Sequence, residues 1–393
     1  MKRILFVDDE PGVLEGIRDL LRPYRRKWDM VFVVSGEAAL EELERAPFDI
    51  IVSDMRMPQM DGATLLKAVQ TRFPRVVRFI LSGYSEFEAS LSSVSVAHQF
   101  LSKPCDPEQF RGALERACSL RDLLNDEALM ATIGEISSLP SVPAAYRAIT
   151  RALENPDAKV KEIAAIIEQN SVICAKILQV ANSAFFAPAH RVSSIAEAVS
   201  YLGITMLKTL VLSFESFGHF RMGMRVPEAE IDRLQRRALL TARLCRQIAG
   251  PIGAEEAFTS GLLHDIGYLI IAYYLPDRYK RLLAASQAEG RPFHELEREF
   301  YGITHAELGA YLLGLWGLPN PIVEAVAHHH EPWRVPHAAF GSLDALYVAD
   351  VLILEQEGSG ATPPLNVLHL ETLAAPAEVH HWRELARELM THD

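Results

Sequence analysis

Four short apolar runs within the first 103 residues each lead into a polar side chain, and this pattern limits the fold more than any other feature. Ile4-Leu5-Phe6-Val7 runs into Asp8-Asp9, and Ile50-Ile51-Val52-Ser53 runs into Asp54. Phe79-Ile80-Leu81 meets Ser82, and Phe100-Leu101-Ser102 meets Lys103. Continuous apolar runs suit strands buried on both faces, as in a parallel sheet. Such a sheet gathers its strand ends along one edge, where open α/β sheets bind ligands. Carboxylates, a hydroxyl and an ammonium collected there can hold a divalent cation and a phosphoryl group.

The wider pattern extends this reading. Strand-like segments at 3–8, 30–35, 49–54, 77–82 and 98–102 alternate with amphipathic stretches such as Val13–Leu21 and Ala38–Leu43. The alternation predicts a doubly wound α/β domain with a five-stranded parallel sheet and helices on both faces. Asp106-Pro107-Glu108 then supplies an N-cap, a proline at the first helical position and an acid in the first turn. The following helix spaces Phe110, Ala113, Ala117, Leu120 and Leu124 by alternating threes and fours. That stripe either packs on the sheet or continues past the domain as a connecting or dimer helix. From about residue 130 strand signals nearly vanish. Segments 157–169, 171–184, 194–217, 228–249, 255–275, 292–316, 319–330, 342–357 and 376–390 read as helices, so the second half is expected to be all-α.

Composition narrows the function classes. The 393 residues suffice for two or three domains. Four cysteines, at 105, 118, 174 and 245, form no CxxC pair, which argues against a disulfide framework or zinc ribbon and fits a reducing compartment. The first apolar run is too short for a secretory leader, and the apolar stretch 261–275 contains His264 and Asp265, so it reads as a buried helix. The expectation is a cytoplasmic protein with no membrane partner. The net charge is -12, most of it beyond residue 125, and acidic surface repels a phosphate backbone. Nucleic acid is therefore not an expected ligand.

At the first site the residue types suit phosphoryl transfer. Carboxylates can hold Mg²⁺, and the metal neutralises charge on a transferring phosphoryl group. A carboxylate can serve as the nucleophile, and a lysine can pair with a phosphate oxygen. Residues 1–122 resemble the receiver domain of bacterial two-component response regulators, which has a flavodoxin-like fold. The motifs that carry the resemblance are Val7-Asp8-Asp9-Glu10, Asp54-Met55-Arg56-Met57-Pro58-Gln59-Met60-Asp61-Gly62, Leu81-Ser82-Gly83 and Phe100-Leu101-Ser102-Lys103-Pro104. The resemblance implies that Asp54 accepts a phosphoryl group from a histidine kinase or phosphotransfer protein. It implies Mg²⁺ bound by Asp9, Asp54 and the carbonyl of Arg56, with Asp8 acting through water. Ser82 and Phe100 stand where the family has its switch residues, and Lys103 where it has the phosphate-pairing lysine.

The second half carries His264-Asp265, His305, His328-His329-His330 and Asp350. Imidazoles and carboxylates suit Fe, Mn, Zn or Ni, and a two-metal site can hydrolyse phosphodiesters. Residues 131–355 resemble the HDOD family, a divergent relative of HD phosphohydrolases. Carrying segments include Ser138-Leu139-Pro140, Lys176-Ile177-Leu178-Gln179-Val180-Ala181-Asn182-Ser183, Gly261-Leu262-Leu263-His264-Asp265-Ile266-Gly267, Thr304-His305-Ala306-Glu307 and His329-His330-Glu331-Pro332. The departures from hydrolytic relatives matter. Those relatives place another ligand histidine on the helix before the His-Asp pair, and here 236–249 has none, with Arg237 at that position. An arginine cannot ligate a cation and repels one. Tyr268 replaces a frequent lysine, and no Gly-Tyr-Pro segment follows the paired histidines.

The combined expectation is a receiver at 1–122, a connecting helix at 123–130 and an HDOD output domain at 131–393. The output domain is expected to act through protein contacts, to work as a homodimer and to have no catalytic residue. The set His264, Asp265, His305, His329, His330 and Asp350 is then a vestigial metal site, with Fe, Mn or no metal. The alternative is a receiver-gated metal phosphohydrolase or cyclic-dinucleotide phosphodiesterase.

Overall fold

The computed structural model describes residues 1–82, 96–103, 107–123, 149, 152, 159–182, 191–204, 207, 228–337, 339–358, 364–373 and 378–391. Five strands form one parallel sheet: β1 (Lys2–Val7), β2 (Trp28–Val33), β3 (Ile50–Asp54), β4 (Val77–Ser82) and β5 (Gln99–Ser102). Their order is β2-β1-β3-β4-β5. The reversal on either side of β1 sends successive crossovers to opposite faces. Val7 lies opposite Ser53, Asp54 opposite Leu81, and Ser82 opposite Ser102, so the carboxyl ends of four strands are level. The first two strands stop earlier than the sequence pattern predicts. Asp8 turns out of the sheet to accept the Glu10 N–H at 3.0 Å, and Ser35 caps the next helix by accepting the Ala38 N–H at 3.2 Å.

Helices α1 (Pro11–Leu20), α2 (Gly36–Arg45) and α3 (Gly62–Arg72) connect the early strands. Gly62 is required where α3 begins, because its N–H donates to the Met55 carbonyl and any Cβ would collide with the Asp54 carbonyl oxygen. The fourth helix expected between β4 and β5 lies outside the described residues. Helix α4 (Pro107–Leu123) buries Phe110, Ala113, Leu114 and Ala117, so this part of its stripe packs inward. The connecting helix expected at 123–130 lies outside the described residues beyond Leu123.

Among its described residues the second half forms helices and connecting loops, with no strand. It contains α5 (Val160–Ile167), α6 (Ser171–Ala181), α7 (Glu228–Ile248), α8 (Gly250–Leu263), α9 (Ile266–Tyr274), α10 (Pro276–Glu289), α11 (Phe293–Tyr301), α12 (His305–Leu315) and α13 (Asn320–His328). After a 3-10 turn at Pro332–Arg334 come α14 (Ser342–Glu357), α15 (Val367–Thr372) and α16 (Val379–Thr391). Two expected helices are each split. The segment 255–275 breaks at His264-Asp265, where Gly267 lets the chain lie directly on the His305 carbonyl. The segment 292–316 breaks at Gly302, whose φ of 72° is left-handed, and restarts at Thr304 with a capping box to Glu307. Helix α10 escaped the sequence reading because it buries only Tyr279, Leu282 and Ser286.

One apolar core runs through both halves. It joins Leu101, Phe110 and Leu114 on the sheet side to Ile173, Leu312 and Trp316 on the helical side. An edge strand offers unpaired backbone groups, and here β5 is covered by the helical half. The Gln99 side chain donates to the Leu315 carbonyl at 2.7 Å, and Gln179 on α6 donates to the His98 carbonyl at 3.1 Å.

Candidate functional site

Two side-chain clusters stand out, one in each half. At the carboxyl edge of the sheet, Asp8 and Asp54 are 1% and 5% exposed, and Asp9 is half-buried beside them. Lys103 reaches across from the end of β5. Its ammonium donates to Asp8 Oδ2 at 2.6 Å and pairs directly with Asp54 Oδ1. The Arg56 N–H donates to Asp54 Oδ2 at 2.8 Å, and the Ser53 hydroxyl donates to the Asp54 carbonyl at 2.8 Å.

Burial raises the Asp54 carboxyl above its ordinary value, and Lys103 only partly opposes this. Burial also works against the Lys103 ammonium, but hydrogen bonds to Asp54 and Asp8 outweigh it and raise the group overall. One ammonium therefore serves two acids, leaving oxygen ligands with excess negative charge. This donor set fits a small hard cation such as Mg²⁺. Ser82 ends β4 and Phe100 is the second residue of β5, and their side chains fall outside the described structure.

The second cluster sits where α8, α9, α12, α13 and α14 meet. His264, His305 and His329 are fully buried, and Asp265 and Asp350 nearly so. His264 Nε2 lies 3.2 Å from Asp265 and 3.4 Å from Asp350. His305 Nε2 lies 3.4 Å from Asp265 and 3.0 Å from His330 Nε2. The six expected residues thus meet.

Backbone acceptors fix the orientation of two of the rings. His264 Nδ1 donates to the Gly261 carbonyl at 2.7 Å, and His329 Nδ1 donates to the Val326 carbonyl at 2.8 Å. Their Nε2 atoms then face the cluster, the orientation that a carbonyl bound to the far ring nitrogen gives histidines at metal sites. His305, with Glu297 at 2.7 Å from its Nδ1, behaves likewise.

Arg237 enters the same cluster and pairs directly with Asp265. Its guanidinium also lies 5.8 Å from the Tyr268 ring centre, and Tyr268 stacks on His305 at 3.7 Å. Burial alone would raise the Asp265 carboxyl, but Arg237 and then His264 hold it well below the usual range. Burial opposes charge on His264, yet Asp265 and Asp350 push it up to about 10. Burial lowers His329 to about 4 and keeps His305 and His330 well below their ordinary value. At neutral pH two cations, Arg237 and His264, therefore face two anions, Asp265 and Asp350. The cluster balances its own charge.

Sequence reasoning flagged Arg237 and missed two other neighbours. Glu297 orients His305, and His294 stacks on His330 at 4.0 Å. Both lie on α11, before the His305 motif, where only the amphipathic pattern carried a signal.

Comparison with known proteins matches each half separately. Residues 4–115 match the response regulator receiver domain, and residues 139–332 match the HDOD domain. An uncharacterized protein of Treponema pallidum (strain Nichols) is 30% identical over 215 residues, covering 53% of this chain and 40% of that protein. The hydrogenase transcriptional regulatory protein HoxA of Cupriavidus necator is 31% identical over 125 residues, covering 31% of this chain and 25% of that protein. The chain thus spans less than half the length of these two curated relatives. Among solved structures, the signal receiver domain of an HD domain-containing protein from Pseudomonas fluorescens Pf-5 is 27% identical, covering 31% of this chain and 98% of its own, with a TM-score of 0.30.

Proposed function

This chain is a response regulator receiver domain followed by an HDOD domain, and from that premise we propose that Asp54 accepts a phosphoryl group whose arrival is read by the HDOD half. The observation that carries the proposal is the position of β5. One end of this strand leads to Lys103, which bridges Asp8 and Asp54, and the other end holds Gln99, bonded to the last turn of α12. Helix α12 starts at His305 in the histidine cluster. Its 11 residues span roughly 16 Å. Strand and helix together link the two clusters.

The phosphodonor is a phosphohistidine on a histidine kinase or phosphotransfer protein. An Asp54 carboxylate oxygen attacks phosphorus, the P–N bond breaks, and the electron pair leaves with the donor imidazole. Mg²⁺ held by Asp8, Asp9, Asp54 and the Arg56 carbonyl would neutralise charge on the transferring group. Lys103 turns from the Asp54 carboxylate to a phosphoryl oxygen. That movement acts on β5, and Ser82 and Phe100 take part as switch residues. A local charge change biasing a two-state element is the general form of such switches.

The domain limits that suit this reading are a receiver at 1–122, a connecting segment at 123–130 and an output domain at 131–393. The output is a changed contact with a second copy of the chain or a downstream signalling protein. The net charge of -12 disfavours a nucleic-acid target. A two-metal hydrolytic centre does not suit the histidine cluster, because Arg237 already neutralises Asp265. The imidazoles of His305, His329 and His330 remain compatible with one Fe or Mn ion.

The test is phosphorylation by a small labelled acyl-phosphate donor with Mg²⁺. Wild-type protein should take up one acid-stable, base-labile label per chain. Asp54→Asn should take up none, and equal labelling of the two proteins would defeat the proposal.

A further inference from the structure

A third cluster lies apart from both sites and shares no residue with them. His337 follows the 3-10 turn, Asp344 sits in the first turn of α14, and His369 lies on α15. Asp344 is fully buried and His369 is 8% exposed, whereas His337 lies at the surface. Both imidazoles aim at one carboxylate. His369 Nε2 is 2.8 Å from Asp344 Oδ1, and His337 Nε2 is 3.0 Å from Oδ1 and 3.1 Å from Oδ2.

We infer that His337, Asp344 and His369 bind a single Zn²⁺ ion, with water completing the shell on the exposed His337 side. The His337 ring is held from its far side. Its Nδ1 lies 2.6 Å from the Val335 carbonyl, which can only accept, so the ring N–H is spent there. The Nε2 of a neutral ring then presents a lone pair to a carboxylate oxygen. Two lone pairs at that distance repel, so either a second ring proton or a metal ion lies between them. A carbonyl-bound Nδ1–H and an inward Nε2 form the outer-shell arrangement usual for zinc-ligating histidine.

The distances also suit zinc. Zinc takes nitrogen and carboxylate ligands at about 2.0–2.2 Å, which places neighbouring tetrahedral ligands roughly 3.3 Å apart. The nitrogen–oxygen separations of 2.8 to 3.1 Å need only a few tenths of an ångström of adjustment. All three residues offer ligand atoms within 4.8 Å of one another. The carboxylate is itself oriented, because Asp344 Oδ2 accepts the Gly341 N–H at 3.0 Å. The ligands come from three separate segments, so the ion would tie α15 and the His337 loop to the start of α14. That helix also carries Asp350 of the histidine cluster.

The experiment uses the full chain stripped of metal. Zn²⁺ is titrated against a chromophoric competitor, Co²⁺ absorption reports coordination, and melting temperature is followed with and without Zn²⁺. Wild type, His337→Ala and His305→Ala are compared. His337 is exposed, so its variant should fold, and His305→Ala removes a candidate ligand in the other cluster only. The expected result is a tetrahedral Co²⁺ spectrum and a zinc-dependent rise in melting temperature, both kept in His305→Ala. His337→Ala should weaken zinc binding by more than ~100-fold, beyond the 10–100-fold typical of losing an outer-shell partner, and lose both signatures. Unchanged zinc affinity in His337→Ala, no zinc uptake by wild type, or loss of all uptake in His305→Ala would each overturn the inference. The trio would then be an imidazolium–carboxylate clip.

Discussion

The receiver edge and the histidine cluster are both built around buried carboxylates, yet their charge balances differ. At the receiver edge one ammonium, Lys103, is shared by Asp8 and Asp54 with Asp9 alongside, and the excess negative charge calls for an added cation. In the histidine cluster Arg237 and His264 already match Asp265 and Asp350. Similar residue types thus give a site that must recruit charge and one that has supplied its own. The lesson is that ligand-type residues do not by themselves make a ligand site. What neutralises them decides whether anything is left to bind.

The largest effect that could break this contrast is chemical. Asp54→Asn should abolish phosphoryl uptake altogether, while Asp265→Asn should leave it at the wild-type level in the same labelling assay. Next comes stability. Arg237→Met leaves two buried carboxylates, Asp265 and Asp350, with only the His264 imidazolium between them, and losing one partner of a buried pair costs about 3–5 kcal/mol. Its urea midpoint should fall accordingly, and added Mg²⁺ should not restore it. Lys103→Met should cost less, since its side chain is 25% exposed, and Mg²⁺ should recover most of the loss. Mg²⁺ rescue of both variants, or of neither, would erase the distinction.

A smaller effect tests the surface that joins the two regions. Lys176 on α6 is 7% exposed, lies 4.3 Å from the Trp316 ring centre and bonds to Gln179. Burial lowers it from 10.5 to about 7. Because the folded value is depressed, the unfolded chain holds this proton up to about pH 10.5, so stability should rise with pH from about 7 to 10.5. Below 7 both states are protonated and this contribution levels off. His98 adds the same sign at lower pH, since burial, then Arg78 and Lys176, hold it well below 6.5. Urea midpoints measured from pH 6 to pH 9 should climb in wild type, and Lys176→Met should flatten the part above pH 7. The smallest effect belongs to Gln99→Leu, which leaves the Leu315 carbonyl unpaired at a cost of about 1–3 kcal/mol. It should lower the unfolding midpoint and, through the loosened seam, raise hydrogen exchange in the last turn of α12.

The receiver edge was legible in the sequence because its chemistry follows strand order. Each run ends in the group the site needs, and a parallel sheet brings those ends level without further information. The histidine cluster was half legible. Its ligand-type residues appear as motifs, and the misfit of Arg237 was visible, but the ion pair to Asp265 joins residues 28 apart and has no local signature. Helix limits failed where tertiary contact decided them, at the Gly267 approach to His305 and at Gly302. The seam between the halves left no trace. Gln99 meets Leu315 across 216 residues and Gln179 meets His98 across 81, and each polar side chain alone resembles an ordinary surface residue. His337, Asp344 and His369 likewise form no spaced motif and become a cluster only when α15 folds against α14.

The central claim is that charge on Asp54 is read through β5 and α12. Hydrogen exchange resolved to residues 99–102 and 305–315 tests it most directly, with Mg²⁺ present and an acyl-phosphate mimic, beryllium trifluoride, added or withheld. The account predicts that the mimic changes exchange in both segments of wild-type protein and in neither segment of Asp54→Asn. Exchange in 305–315 that ignores the mimic in wild type, while residues around Asp54 respond, would contradict it.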